Sequence, residues 1–144
     1  MRVPMKVDYG VRALVDLALH QGDGPVPTAT IARRQHMPEP YLDQVLAALH
    51  RYGFVHSRRG PQGGHMLARD PREINLAMVV ETLEGMGALL GCFEYPGECT
   101  FSDACAQREV WQTVEAAVMQ VLRTTSIGEL VERQRRLVPV PVSR

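Results

Sequence analysis

Apolar residues recur every three or four positions in several stretches of the chain, which is the spacing of one buried helix face. The first stretch predicts a helix over residues 5–20 that ends at the glycines after it. A second, short helix is predicted to begin at Thr28, acting as its N-cap. After a short turn, a third helix begins beyond the prolines of MPEP. The lengths suit a helix-turn-helix, and the apolar stripe of the third helix is Leu42, Val45, Leu46 and Leu49.

The segment after the third helix changes from helical to strand-like spacing. It reads GFVHSRRGPQGGHMLAR, in which Phe54 and Val55 lead into a turn and Met66 and Leu67 lead out of it. Glycine and proline dominate the turn, because they adopt the backbone angles that a tight bend requires. These residues predict a short β-hairpin, so the first half of the chain has the pattern of a winged helix-turn-helix.

The second half is predicted to be helical around one irregular loop. Asn75 is a good N-cap for a helix that stops before Gly85. A glycine-containing segment without periodicity follows, and a long helix is then predicted over residues 105–125. Ser126 and Glu129 have the spacing of a capping box, which predicts a last helix. The expected fold class is therefore mainly α with a small β wing.

The polar face of the third helix and the hairpin together predict a DNA-reading surface. Polar side chains that can reach base edges lie away from the apolar stripe of that helix. Arg58 and Arg59 at the base of the turn supply planar charged donors, and the glycines let a sugar-phosphate backbone approach closely. The alternative is a surface hairpin with solvated charges, but its position directly after the reading helix favours nucleic acid. The residues predicted to contact DNA are Thr28, Glu39, Tyr41, Gln44, Arg51, Arg58, Arg59, Gly60, Gln62, Gly63 and His65.

The distribution of charge supports that prediction, although the formal net charge of the 144 residues is zero. Residues 1–72 hold ten Lys and Arg against six Asp and Glu, together with all five histidines. Residues 73–144 hold six basic against ten acidic side chains. The segregation indicates a basic half that faces DNA and an acidic half that faces elsewhere.

The long helix carries a second apolar stripe, which consists of Val110, Val114, Ala117, Val118, Val121 and Leu122. A helix of this length at the end of a small domain more often packs against a twin than against its own core. We therefore predict a homodimer. The predicted organisation is a winged helix-turn-helix DNA-binding domain over residues 1–85, followed by the cysteine loop and dimerisation helix over residues 86–144.

Several other classes of protein fit the sequence poorly. No apolar run approaches the roughly 18 residues that span a bilayer. Asp8, Arg12 and Asp16 interrupt the N-terminal apolar stretch, which does not have the pattern of a signal peptide, so the chain is expected to be cytoplasmic. A small electron carrier or a thiol enzyme is the rival from another class. The cysteines lack ferredoxin spacing and have no histidine near them in sequence, so we expect a protein that is not an enzyme.

The three cysteines of the chain crowd into the irregular loop. Cys92, Cys99 and Cys105 are separated by six and then five residues, which does not match the spacing of zinc ribbons or fingers. Thiolates on a glycine-containing loop suit soft metals, most obviously an iron–sulfur cluster. The alternative is three small apolar side chains under a loop, with a reactive thiol among them. The acidic flanking sequence has no core pattern, which favours the metal.

Three cysteines leave one iron of a cluster in need of another ligand. No histidine follows His65 in the sequence, so that ligand must be a carboxylate, an external thiol or water, or a group from another segment or subunit. Asp8 in the first helix is a candidate for this reason. The alternative for Asp8 is a solvated acid that interacts favourably with the helix dipole.

Four motifs extend over nearly the whole chain, roughly residues 6–136. They are DYGVRALVDLAL, YLDQVLAALHRYGFVHSRRGPQGGHML, the cysteine loop and TTSIGELV. Together they resemble the family of winged-helix iron–sulfur transcriptional regulators that includes IscR and NsrR. The resemblance implies a dimer that binds a roughly palindromic double-stranded DNA operator, with recognition helices in successive major grooves and wings at the flanking minor grooves. It also implies that the state of a cluster changes DNA affinity.

The resemblance bears on the fourth cluster ligand as well. In the IscR branch that ligand is a histidine three residues after the last cysteine, where this sequence has Arg108. In the NsrR branch it is an aspartate in the first helix of the partner subunit, and Asp8 matches its place. This favours a [4Fe-4S] cluster that bridges subunits, with a [2Fe-2S] cluster as the alternative, and a signal of nitric oxide, redox or iron–sulfur status. A winged-helix regulator without a cluster, which senses oxidants through thiols or binds zinc, is the other open interpretation.

Overall fold

A computed structural model describes residues 2–85, 87, 90–101 and 103–137. Within these ranges the chain forms seven α-helices and one antiparallel pair of strands, which confirms the predicted fold class. Single turns of 3-10 helix lie at Pro71–Glu73 and Pro96–Glu98. The elements in chain order are α1 Met5–Leu19, α2 Thr28–Gln35, α3 Glu39–Arg51, β1 Val55–Arg58, β2 Gly64–Leu67, α4 Leu76–Glu84, α5 Gly91–Glu94, α6 Arg108–Thr124 and α7 Ile127–Leu137.

Helix α1 lies at the centre of the fold and packs against α2, α3, α4 and α7. Its Leu14 and Leu17 are buried, and the predicted apolar stripe of α3 is buried in the same core, as its spacing requires. Burying a leucine side chain stabilises the fold by about 2 kcal/mol, so these facing stripes hold the three N-terminal helices together.

The end of the chain returns to the N-terminal half. Ile127 and Val131 of α7 are buried in the core that surrounds α1. The Ile127 amide donates to the Ile74 carbonyl (2.7 Å), and the Leu76 amide donates to the Thr125 carbonyl (3.0 Å). Helix α7 therefore packs on the winged helix-turn-helix, while the predicted boundary at residue 85 stays a prediction.

Two predicted helix ends are confirmed by their caps. The Asn75 side chain accepts a hydrogen bond from the Met78 amide (2.9 Å), and α4 ends just before Gly85, whose φ is 77°. The Ser126 hydroxyl accepts from the Glu129 amide (3.0 Å), which is half of the predicted capping box. The carboxylate of Glu129 pairs with Arg133 on the next turn instead of completing it.

Other predicted boundaries were wrong. Thr28 is the first residue of α2, not its N-cap, and its hydroxyl is bound elsewhere. Helix α3 begins at Glu39, so Pro40 lies inside its first turn, where a missing amide hydrogen costs nothing. Helix α6 begins at Arg108 and not at Cys105, and the loop before it contains the single turn of α5. Helices α2 and α3 thus begin earlier than predicted, whereas a turn at residues 106–107 delays the start of α6.

The predicted hairpin is present, with Val55 paired to Leu67 and Arg58 paired to Gly64. A second contact fixes its position. The His65 amide donates to the Val26 carbonyl (2.8 Å), and the Val26 amide donates to the His65 carbonyl (2.9 Å). The wing is thereby attached to the segment that leads into α2. In the part of the chain that the structure describes, no helix is long and apolar enough to cross a membrane.

Candidate nucleic-acid interface and cysteine loop

The outward face of α3 carries four of the eleven residues predicted to contact DNA. Glu39, Gln44 and Arg51 are exposed, opposite the buried stripe. Tyr41 differs, because it is half-buried and its ring packs edge-on against Tyr9 of α1 with centroids 5.3 Å apart. The ring of Tyr41 thus supports the docking of α3 on α1, and a role in DNA contact would fall to its exposed portion.

Two polar residues on this face were not predicted. Asp43 and His50 are exposed and lie on the side of the face next to Glu39, between Glu39 and Arg51 on a helical projection. A helical projection of α3 at 100° per residue, with every polar residue outside the leucine stripe included, would have found them. Their opposite charge tendencies make the face mixed in sign, so its basic character comes from Arg51 and from the wing.

An ion pair between the buried Asp16 and the partly exposed Arg34, which was not predicted, sets the position of α2 against α1. Asp16 is 1% exposed, and its carboxylate accepts hydrogen bonds from Arg34 Nε (3.0 Å) and Nη2 (2.6 Å). The Gln35 side-chain amide donates to the same carboxylate (3.0 Å). Arg12 of α1 also donates to the Gln35 carbonyl. The signal in the sequence was an aspartate within the apolar run ALVDLAL of α1, since a carboxylate is rarely buried without a partner.

The tip of the wing is exposed and closely folded. Arg58, Arg59, Gly60 and Gln62 are exposed, as predicted for residues that approach a sugar-phosphate backbone. A Cβ on Gly63 would lie 2.2 Å from the Arg58 carbonyl oxygen, so the turn leaves no room for a side chain there. Gly60 and Gly63 thus leave parts of the tip without side chains beside Arg58 and Arg59, which remain candidates for phosphate contact.

His65 joins the wing to α2. Its Nε2 is hydrogen-bonded to the Thr28 hydroxyl (2.8 Å), and its Nδ1 is hydrogen-bonded to the Ser57 hydroxyl (3.0 Å). Burial lowers the pKa of His65 from 6.5, Asp43 acts to raise it, and His50 acts to lower it. Because the folded pKa lies below the unfolded one, this residue's contribution to stability is complete above pH 6.5 and declines as the pH falls below it. Thr28 and His65 were predicted to contact DNA, and the structure places them in contact with each other.

The three cysteines occupy one loop beside α6. All are free thiols and half-buried. Cys105 leads directly into α6, because its carbonyl accepts from the Arg108 amide (3.2 Å), and the Arg108 guanidinium lies 5.7 Å from the centre of the Phe93 ring. Within the described ranges, the side chains of cysteine, histidine and the acids do not form a preassembled set of three metal ligands. The donor set nevertheless fits an iron–sulfur cluster chemically, since three soft thiols share one loop.

Asp8, the predicted fourth ligand, lies exposed on α1. Its carboxylate oxygen is 3.4 Å from Arg12 Nη1, one turn further along the same helix. Lys6, near it in sequence, pairs with Glu84 at the end of α4 (3.6 Å), just before the cysteine loop. Asp8 is therefore accessible from outside its own chain, and its ligation to iron stays a prediction, as does that of Cys92, Cys99 and Cys105.

Helix α6 keeps much of its apolar surface uncovered. It packs against α4, yet within the described chain none of its residues is fully buried. Val110 and Val121 are 60% and 61% exposed, and Trp111, which the predicted stripe did not include, is also exposed. A row of exposed apolar side chains along a helix of 17 residues is typical of a protein–protein interface.

Comparison with known proteins decides the family. Residues 3–133 match the Rrf2 family, described as iron-dependent transcriptional regulators. The chain belongs to the Rrf2 family. The transcriptional regulator IscR of Xenorhabdus nematophila is 36% identical to this Rrf2 protein over 137 residues, which cover 95% of the chain and 83% of that relative. IscR of Serratia proteamaculans is 35% identical over 138 residues, which cover 96% of the chain and 84% of the relative.

Solved structures share the fold of this Rrf2 protein along most of its length. The structure of T. potens IscR superimposes with a TM-score of 0.79 at 35% identity, covering 97% of this chain and 93% of that one. CymR, the global cysteine regulator of B. subtilis, superimposes with a TM-score of 0.80 at 29% identity, covering 92% and 98%. The resemblance drawn from the sequence motifs is confirmed, and the protein is an IscR-like, DNA-binding transcriptional regulator.

Proposed function

We propose that this Rrf2 protein is a homodimeric regulator whose affinity for its DNA operator is controlled by an iron–sulfur cluster on Cys92, Cys99 and Cys105. The observation that carries the proposal is the presence of three free, half-buried thiols in the one segment that precedes α6. A cluster there would supply a centre that reacts with nitric oxide or oxygen, or is lost when iron is scarce. We favour a [4Fe-4S] form, with [2Fe-2S] as the alternative.

The DNA-binding surface consists of the exposed face of α3 and the wing. Gln44 and Arg51 on α3 would reach base edges or nearby phosphates in a major groove. Arg58 and Arg59 would contact phosphates, because the glycines beside them allow a close approach. A surface of this kind reads sequence through the helix and gains affinity through the wing.

The homodimer would form along α6. Its exposed apolar residues would be buried against the same residues of a second chain, as a twofold axis requires. Removing such apolar surface from water favours association by about 25 cal/mol per Å² buried. The partner chain would also bring its Asp8 towards the cysteine loop as the fourth ligand, which is consistent with the exposure of that carboxylate.

The loop can influence the recognition helix through packed elements of this chain. Cys105 is three residues from the start of α6, α6 packs on α4, and α4 packs on α3. A loop whose three thiols are held together would fix the start of α6, and a released loop would let α6 and α4 shift. The separation and tilt of the two recognition helices in the dimer would then differ between the two states, and so would operator affinity.

Anaerobic purification tests the cluster. The wild type is expected to carry iron and sulfide and to show iron–sulfur charge-transfer absorption, and Cys92→Ser, Cys99→Ser or Cys105→Ser should each abolish it. Thr100→Ala, an exposed change in the same loop, should keep the absorption. Asp8→Ala should make the chromophore more labile than Asp23→Ala does. A colourless, iron-free wild type made with adequate iron supply would refute the cluster.

Salt titration tests the wing. Replacing Arg58 or Arg59 with alanine should weaken binding to every duplex and reduce the slope of log K against log salt by about one unit for each protomer. Duplexes selected from a random pool and an unselected duplex serve as probes. The control is Gln44→Ala, which should change preference at one base position and leave the slope unchanged. An Arg58→Ala or Arg59→Ala variant with the wild-type slope would argue against phosphate contact by that arginine.

The second candidate is a regulator without a cluster that senses oxidants through its thiols or binds zinc. It is favoured by the likeness to CymR of Staphylococcus aureus in its oxidized form, which superimposes with a TM-score of 0.75 at 28% identity. For this candidate, anaerobic protein would show no visible chromophore, and mild oxidant would consume thiols and change DNA affinity. Bound zinc, found by metal analysis of the same colourless sample, would identify the zinc form.

A further inference from the structure

His65 sits at the junction of three elements. Its ring bridges the hydroxyl of Thr28, the first residue of α2, and the hydroxyl of Ser57 on β1. Its backbone exchanges two hydrogen bonds with Val26, just before α2. Both ring nitrogens therefore have partners, and the ring cannot turn without breaking a contact between the wing and the helix-turn-helix.

The two hydroxyls respond to the protonation state of this ring. In neutral imidazole one nitrogen carries hydrogen and the other accepts, so one hydroxyl must direct its hydrogen at the ring. In imidazolium both nitrogens donate, so both hydroxyls accept from the ring and both O–H hydrogens are free to bond elsewhere. Protonation thus keeps both contacts, releases one hydroxyl donor and adds one positive charge.

The released donor lies where the proposed function places DNA. Ser57 is exposed and precedes Arg58 on the wing, and Thr28 lies at the start of α2. A hydroxyl that already donates to His65 can only accept, which gives it nothing to offer a phosphate oxygen. A free O–H can donate to phosphate, and the added charge attracts it.

We propose that His65 couples proton binding to DNA binding, because its protonated ring frees a hydroxyl donor of Thr28 or Ser57 for a phosphate and adds a positive charge to the wing. The inference rests on the proposed DNA-binding surface. His65 acts here as a positioning residue whose charge state sets how many donors its neighbours present.

The surroundings of the His65 ring are consistent with proton uptake when DNA binds. Burial holds the pKa of His65 below its ordinary value, with Asp43 of α3 opposing that shift and His50 of α3 adding to it. His20, just after α1, lines the same cleft between α1 and β2. His65 is therefore largely neutral near pH 7 in the free protein. Phosphates at the wing would raise its pKa, so binding takes up a proton, and by reciprocity a lower pH tightens binding.

The dissociation constant for a mixed-sequence DNA duplex, measured at constant ionic strength between about pH 5 and 8, tests the coupling. The wild type should bind more tightly as pH falls, by at most about tenfold per pH unit per protomer from this residue. The glutamine in His65→Gln offers one donor and one acceptor and cannot be protonated. This variant should therefore lose the part of the pH dependence that His65 contributes. The control is His56→Gln, which replaces the exposed histidine on the neighbouring strand and should keep the pH dependence that His65 contributes. Equal pH dependence in wild type and His65→Gln would overturn the inference.

A measurement on the wild type alone covers the case in which His65→Gln folds poorly. The ring nitrogens of His65 are titrated by NMR in the free protein and in the duplex complex. The pKa should be higher in the complex, and an unchanged value would overturn the inference. A wild type that binds no duplex at any pH would overturn the proposed DNA-binding function itself, whereas binding without a change in the His65 titration overturns only the coupling.

Discussion

Replacing Asp16 with alanine is expected to lower the free energy of unfolding by about 3 kcal/mol. The carboxylate is 1% exposed and accepts hydrogen bonds from both Arg34 and Gln35. Without it, a guanidinium whose side chain is only 31% exposed and a neighbouring amide lose their acceptor. Removing one partner of an ion pair costs more than the pair contributes to the extent that the remaining charge is desolvated, and the Arg34 guanidinium is partly so.

Urea denaturation of Asp16→Ala measures this effect. Asp23→Ala is the matched control, because Asp23 is exposed in the loop after α1 and its loss should change stability by no more than about 0.5 kcal/mol. A double-mutant cycle with Arg34→Ala should give a coupling of about 1–3 kcal/mol. If Asp16→Ala and Asp23→Ala unfold at the same urea concentration, the buried pair does not hold α2 on α1.

The substitution Gly64→Ala is expected to lower the free energy of unfolding by about 2–4 kcal/mol and to detach the wing from α2. The φ of Gly64 is 152°, and an added Cβ would lie 2.4 Å from the carbonyl carbon of Val26 and 2.5 Å from its oxygen. Backbone atoms cannot move aside as the end of a long side chain can. Strand β2 would therefore retreat, and the paired hydrogen bonds between Val26 and His65 would break.

Thermal unfolding and amide hydrogen exchange check this result together. The His65 amide, bonded to Val26 in the wild type, should exchange faster in Gly64→Ala, and DNA affinity should fall because the wing is displaced. Gly22→Ala is the control, since an added Cβ there meets no atom within 4 Å. If the His65 amide of Gly64→Ala exchanges as slowly as that of the wild type, the close approach of Gly64 to the Val26 backbone is contradicted.

Sequence periodicity predicted the interior of the helices correctly and misplaced some of their ends. The leucines of α3 are buried as predicted, because the spacing of apolar residues on a helix is a local property. Thr28 and Cys105 were misassigned because the end of a helix is not set by apolar spacing. Whether a residue caps a helix, starts it or precedes it depends on one hydrogen bond, which turn geometry and neighbouring segments decide.

The sequence alone determined the winged helix-turn-helix, the caps at Asn75 and Ser126 and the exposed arginines of the wing, because each follows from residues close together in the chain. Only the tertiary structure decided that Asp16 meets Arg34, that Thr28 meets His65 and that Tyr41 packs on Tyr9. These pairs are distant in sequence and form only once α1, α2, α3 and the wing have docked. Docking is driven by apolar burial, which is non-directional and leaves no pairwise signal in one sequence.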